Sequence, residues 1–227
     1  MTRARWIIII PKLKKMARKG TFVTFEGGEG SGKSTHIEHI VARLRKEGQS
    51  VILAREPGGT ELGERIRHVL QYDKQSVSMT PETELLLFCA SRAQLVREVI
   101  LPAIKRGQIA ICDRFFDSTT VYQGVGRQLD PKKVAAINAF AIDGCLPDLT
   151  LVIDLDPRVG LERVRGRELF DRMENQSLRF YQRVRRGYLD LAKREPKRVK
   201  VIDGSQSIET ISNQIWELIQ NVLHRSA

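Results

Sequence analysis

The chain reads as an α/β fold, a doubly wound five-stranded parallel sheet flanked by helices, and three observations predict it. Short apolar runs at Thr21–Glu26, Ser50–Ala54, Ile109–Cys112, Leu149–Asp154 and Val199–Ile202 have the length and β-branched content of strands. Several are apolar nearly throughout, as strands covered on both faces are. Helical patterns alternate with them, so the strands run parallel and cross over through helices. No linker, repeat or low-complexity tract divides the chain.

The first run leads directly into Gly27-Gly28-Glu29-Gly30-Ser31-Gly32-Lys33-Ser34-Thr35. This fits the phosphate-loop pattern G-x-x-x-x-G-K-[ST] at every defined position. The glycines let the backbone wrap a phosphate with its N–H groups turned inward. Ile37, Ile40, Val41 and Leu44 then recur at helical spacing as far as Gly48, so a helix N-terminus adds positive partial charge at the same point. Lys33 reaches the β- and γ-phosphates, and Ser34 is placed to ligate Mg²⁺. The motif implies a nucleoside-triphosphate site but not what the triphosphate is used for.

The second run closes on Arg55-Glu56-Pro57-Gly58-Gly59-Thr60, with a helix over Thr60–Gln71. The next helix spans Pro81–Arg106 and bends at Pro102, which has no N–H to donate. The third run closes on Asp113-Arg114-Phe115. Further helices are expected over Pro131–Asp143, Pro157–Arg165, Glu174–Arg194 and Ser207–Leu223. In such a sheet ligands gather at the carboxyl ends of the strands, where these polar segments fall.

Composition narrows the class. At 227 residues the chain is one large domain with room for a substantial core. A net charge of +11 suggests nucleic acid, but residues 1–19 hold seven basic residues and no acid, leaving only +4 beyond them. A protein that binds several phosphates carries that much without touching nucleic acid. Cys89, Cys112 and Cys145 lie far apart without metal spacing, and point to a reducing cytoplasm. The apolar run Trp6–Ile10 is too short for a membrane span or a signal-peptide core. Residues 1–15 read as a basic extension, disordered or preceding the natural start at Met16, and 16–227 as the single domain. The other reading of residues 1–15 is an arm that binds RNA or membrane.

Four features carry chemistry. Asp113 lies beside the phosphate loop, where it can complete a magnesium shell; the plain alternative is a cap for the next turn. Arg55 and Arg114 end neighbouring strands, and two guanidinium forks in one cleft suit a second, phosphorylated substrate rather than two surface ion pairs. Phe88 and Arg92 share a helix face, where a ring and a guanidinium can stack on and read a nucleobase, although Phe88 also fits a core position. Arg163, Arg165, Arg167 and Arg172 surround Gly166. They form either a solvated basic face or a mobile lid over about residues 163–174 that neutralises the transferring group.

Taken together, these segments resemble bacterial thymidylate kinases, which have a P-loop NTPase-type fold with a short arginine-rich lid. The resemblance runs from about Thr21 to the C-terminus. It rests most on Arg55-Glu56-Pro57-Gly58-Gly59-Thr60, on Ser91-Arg92-Ala93-Gln94 after Phe88, and on Asp113-Arg114-Phe115 with Ser118, Tyr122, Gln123 and Gly124. Pro147-Asp148-Leu149-Thr150 adds to it. It implies transfer of the γ-phosphoryl group of ATP to dTMP with Mg²⁺, in dTTP biosynthesis, by a cytoplasmic homodimer packed through helices. By the same resemblance Arg55 and Arg114 hold the dTMP phosphate, Phe88 stacks on thymine, and Arg92 and Thr119 meet its edge. Ser118 and Gln123 line the substrate site, Tyr122 lies near the sugar, and Glu29 contacts the acceptor or its metal. Arg167 best matches the lid arginine, with Arg163 and Arg172 beside it. The basic extension and Val125-Gly126-Arg127 depart from the family pattern.

Two other readings stay open at this level. One is a phosphate-loop kinase of another nucleotide or of a nucleoside. The other is a nucleic-acid-binding regulatory ATPase that uses the basic arm.

Overall fold

The computed structural model describes residues 8–9, 19–73, 78–165 and 176–226. Among them, five parallel strands form one sheet in the order β2-β3-β1-β4-β5: β1 Phe22–Gly27, β2 Val51–Arg55, β3 Ile109–Asp113, β4 Leu149–Asp154 and β5 Val199–Asp203. β1 lies at the centre, between β3 and β4, and its residues are all buried. That placement explains why apolar Phe22, Val23 and Phe25 occupy both of its faces.

Helices cover both faces. On one side α1 (Lys33–Lys46) and α9 (Ile208–Ser226) pack on Val23, Phe25, Ile111, Leu151 and Ile202. On the other lie α3 (Pro81–Leu95), α4 (Leu101–Lys105), α5 (Phe116–Thr119), α6 (Pro131–Ile142) and α8 (Leu178–Arg194). Phe22, Cys112, Phe115, Phe116 and Ile142 join the first four of these to the sheet. α2 (Glu61–Gln71) packs beside α3, and α7 (Pro157–Val164) follows β4.

Two local results depart from the sequence reading. The helix expected over Pro81–Arg106 forms, but a π-helical turn at Val96–Ile100 separates α3 from α4. The wider turn precedes Pro102, which cannot supply the regular i→i−4 bond. The second is a helical stretch that the sequence did not announce: α5 continues into a π-helical segment at Thr120–Gly126, buried throughout. Thr119, Thr120 and Val121 are β-branched, and Gly124 and Gly126 disfavour helix, so local propensity argues against it. Packing against α8 and α6 overrides that preference. Asp117, fully buried, anchors the start of this stretch through Arg198 at 2.6 Å.

The three cysteines are buried and form no disulfide, and Cys112 sits in the apolar run of β3. Of residues 1–15, only Ile8 and Ile9 are described. Ile8 is buried in the cluster that also holds Val125 and Tyr188, and its carbonyl accepts from Arg194 Nη1 at 3.0 Å.

Candidate active site

A cleft of about 570 Å³ opens at the carboxyl ends of the strands, within the range of small-molecule sites. The phosphate loop forms its floor. Gly30 and Gly32 have φ of 65° and 90°, conformations that favour glycine, and a Cβ on Gly30 would overlap the Gly160 carbonyl of α7. Residues Glu29 to Thr35 line the cleft, while Gly27 and Gly28 form the base of the loop. Gly32 caps α1, so Lys33, Ser34 and Thr35 present the helix N-terminus to the cleft. Lys33 Nζ donates to Gly27 O at 3.2 Å and to Gly28 O at 2.9 Å. Burial, then the charge of Arg114, pulls the Lys33 ammonium below its usual range; Glu29 and Asp113 oppose the fall. An anion bound in the loop favours the charged form.

Arg114 follows β3 and is the most constrained cation in the cleft. Its φ is 66°, in the left-handed region that non-glycine residues rarely occupy. Nη2 donates to Glu29 Oε1 at 2.7 Å and Nη1 to Gly27 O at 3.1 Å. The guanidinium also lies 5.1 Å from the centre of the Tyr122 ring. Burial works against its charge, but Glu29, Tyr122, Tyr188 and Asp113 outweigh it and hold Arg114 above its usual range. Tyr122 donates to Glu29 Oε1 at 3.1 Å, so Glu29 ties together the loop, Arg114 and the π-helical segment.

Beneath this group, Glu26 has no exposed surface. It accepts from Phe115 N at 2.8 Å, Ser118 Oγ at 2.5 Å and Tyr188 Oη at 2.9 Å. Burial and then Asp117 push its carboxyl up to about 7. The acid thus pins the turn carrying Arg114 and Ser118 to the end of β1.

Arg55 also lines the cleft, half-exposed and paired with Glu64 at 2.8 Å. Glu64 accepts from Gly59 N as well, so the Pro57–Thr60 turn holds the arginine in place. Phe88, Ser118, Thr119, Tyr122 and Gln123 line the adjoining wall. Arg92 lies deeper than Phe88. It is 1% exposed, not on the wall, and pairs with Glu56 at 2.6 Å. It donates to Asn138 Oδ1 at 3.0 Å and to Thr119 Oγ1 at 2.9 Å, and so stands behind Thr119.

Asp113 Oδ1 is buried without a hydrogen-bond partner, and Ser34 is open to the same cleft. Among the described residues no three metal-ligating side chains cluster. That donor set fits Mg²⁺, which keeps waters and takes one or two carboxylates plus substrate phosphates.

Arg163 reaches the loop from α7 and donates to Gly30 O at 3.3 Å. Arg167 and Arg172, with most of the expected lid, lie outside the described residues. The sequence reading missed Arg67, which lines the cleft from α2 and donates to Pro57 O at 3.0 Å. It also missed Gly204 and Gln206 after β5. The rule that ligand residues follow strand ends would have found the latter. Arg67 carried no such signal.

Comparison with known proteins gives one answer. The family model described as thymidylate kinase matches residues 25–215. A thymidylate kinase of Kosmotoga olearia is 48% identical over 86% of this chain and 92% of its own. One from Pseudomonas putida strain GB-1 is 45% identical over 91% and 98%. The crystal structure of thymidylate kinase from Ehrlichia chaffeensis superposes with a TM-score of 0.71, at 36% identity over 88% of this chain and 98% of that one. The chain belongs to the thymidylate kinase family.

Proposed function

We propose that this chain transfers the γ-phosphoryl group of ATP to the phosphate of dTMP, giving dTDP and ADP. The observation that carries the reading is the joining of two anion sites in one cleft. The phosphate loop with Lys33 forms one; Arg55 and Arg114, at the ends of β2 and β3, form the other. A neutral nucleoside would not need the second.

Positioning does most of the work in such a transfer. The loop N–H groups and Lys33 hold the donor phosphates. Arg114 and Arg55 hold the acceptor phosphate, with its anionic oxygen in line. That oxygen is already nucleophilic near neutral pH, so no strong base and no covalent enzyme intermediate is required. Glu29 orients Arg114 and offers a carboxylate at the junction. Ser34 and Asp113 would hold Mg²⁺, which would supply charge neutralisation at the donor phosphates. Arg167, with Arg163 beside it, supplies the arginine that the loop lacks. Phe88 stacks on the base, Ser118 and Tyr122 face the sugar and phosphate, and Thr119 and Gln123 meet the base edge.

The same reading puts the chain in the cytoplasm as a homodimer and assigns it no nucleic-acid or membrane partner. Exposed Leu62, Leu86 and Phe140 lie on the adjacent helices α2, α3 and α6 and support that pairing. The test of the function is ADP release from MgATP with dTMP, dUMP, UMP, CMP and thymidine in turn. Turnover is expected to be greatest with dTMP and lost in Lys33→Ala. Equal turnover with thymidine would overturn the two-anion reading.

A further inference from the structure

Glu84 belongs to the first turn of α3, one turn before Phe88, and is 1% exposed. Arg127 grips it from two nitrogens: Nε to Oε1 at 3.1 Å and Nη2 to Oε2 at 3.0 Å. The same Oε1 accepts from Gln123 Nε2 at 2.7 Å. A carboxylate clasped by a guanidinium has only acceptors to offer. The Gln123 amide must therefore turn its NH₂ toward Glu84. Its carbonyl oxygen is left on the other side of the amide, toward the cleft that Gln123 lines.

Thr119, one turn earlier, is set the opposite way. Its Oγ1 accepts from Arg92 Nη2, so its own hydrogen is left to donate into the cleft. The wall then offers an acceptor from Gln123 beside a donor from Thr119. A pyrimidine with N3–H next to a C4 carbonyl matches both. Cytosine, with an N3 acceptor next to a C4 amine, opposes both.

We propose that Glu84 is a specificity-determining positioning residue. Through the Gln123–Glu84–Arg127 juxtaposition it fixes the polarity of the Gln123 amide, and so selects 4-oxo over 4-amino pyrimidine monophosphates. The inference rests on the proposed reading of the cleft. Arg127 also donates to Gln176 at 2.8 Å and lies over the Phe180 ring at 5.1 Å, so the pin is braced from α8 and from Gln176, two residues before it.

The experiment compares kcat/KM for dTMP and dCMP in the wild type, in Glu84→Gln, and in Glu84→Gln combined with Arg127→Met. The double variant removes both charges of this pair together and serves if the single one does not fold. A glutamine at 84 can turn either end of its amide to Gln123, so the polarity is no longer dictated. The dTMP-to-dCMP ratio is expected to fall by ~10-fold or more, mainly through a higher KM for dTMP, as one oriented hydrogen bond is worth about 1–2 kcal/mol. A folded variant with an unchanged ratio overturns the inference, as does a wild type that uses dCMP as well as dTMP. A wild type that uses neither would instead overturn the reading of the cleft.

Discussion

Replacing Arg114 separates what this residue does for the reaction from what it costs the fold. Arg114→Ala removes the guanidinium but keeps a Cβ at φ 66°. If both arms of the guanidinium hold the acceptor phosphate, two charge-assisted hydrogen bonds of about 1.5–3 kcal/mol each are lost. The barrier then rises by ~3–6 kcal/mol, a fall in kcat/KM for dTMP of ~10²–10⁴-fold. Stability moves differently. A left-handed non-glycine residue costs about 1–2 kcal/mol, and glycine escapes that at an entropy cost of about 0.5–1 kcal/mol. Arg114→Gly should thus be as inactive as Arg114→Ala, yet more stable by about 1 kcal/mol. Coupled ADP release reads the first quantity and urea unfolding the second. An Arg114→Ala enzyme within threefold of wild type would refute the acceptor-phosphate role. An alanine variant more stable than the glycine variant would refute the strain argument.

Other outcomes follow from buried groups. Glu26 has a folded pKa raised from 4.5 to about 7, so its contribution to stability is complete below pH 4.5 and is lost as pH rises through about 7. Thermal unfolding should show wild-type stability falling between pH 4.5 and 7 by up to about 3 kcal/mol, with a flatter profile in Glu26→Gln. Arg92→Met strands Glu56 in the core and should cost roughly 3–5 kcal/mol by urea unfolding, while Arg92→Met with Glu56→Gln should recover much of it. Deleting residues 1–15 removes buried Ile8 and should lower stability by about 1–3 kcal/mol, with dTMP turnover unchanged. Phe140→Asp, at a position 80% exposed, should turn the proposed dimer into a monomer in sedimentation.

The sheet was legible because its three inner strands, β1, β3 and β4, are buried on both faces, which leaves unbroken apolar runs such as Ile109–Cys112. The phosphate loop was legible because glycine spacing, Lys33 and Ser34 have a fixed mechanical role. The stretch Phe116–Gly126 was not, since its helix is imposed by packing and opposed by its own residues. Arg92 shows a subtler limit. Helical spacing put it on the face of Phe88 but could not reveal that Glu56, at the end of β2, draws it into the core. Glu26, Glu64 and Glu84 were invisible as a group for a related reason. Their roles are to hold other side chains, and each partner is distant in sequence or belongs to another element.

The account rests on direct, in-line passage of the phosphoryl group between two nucleotides held in one cleft. Its sharpest test is turnover of ATP made chiral with oxygen isotopes at the γ-phosphorus, with dTMP as acceptor. The configuration at the β-phosphorus of the dTDP product is then read. The account predicts labelled dTDP with inverted configuration. Retention would mean that the group passes through a covalent intermediate on the protein, and would contradict it.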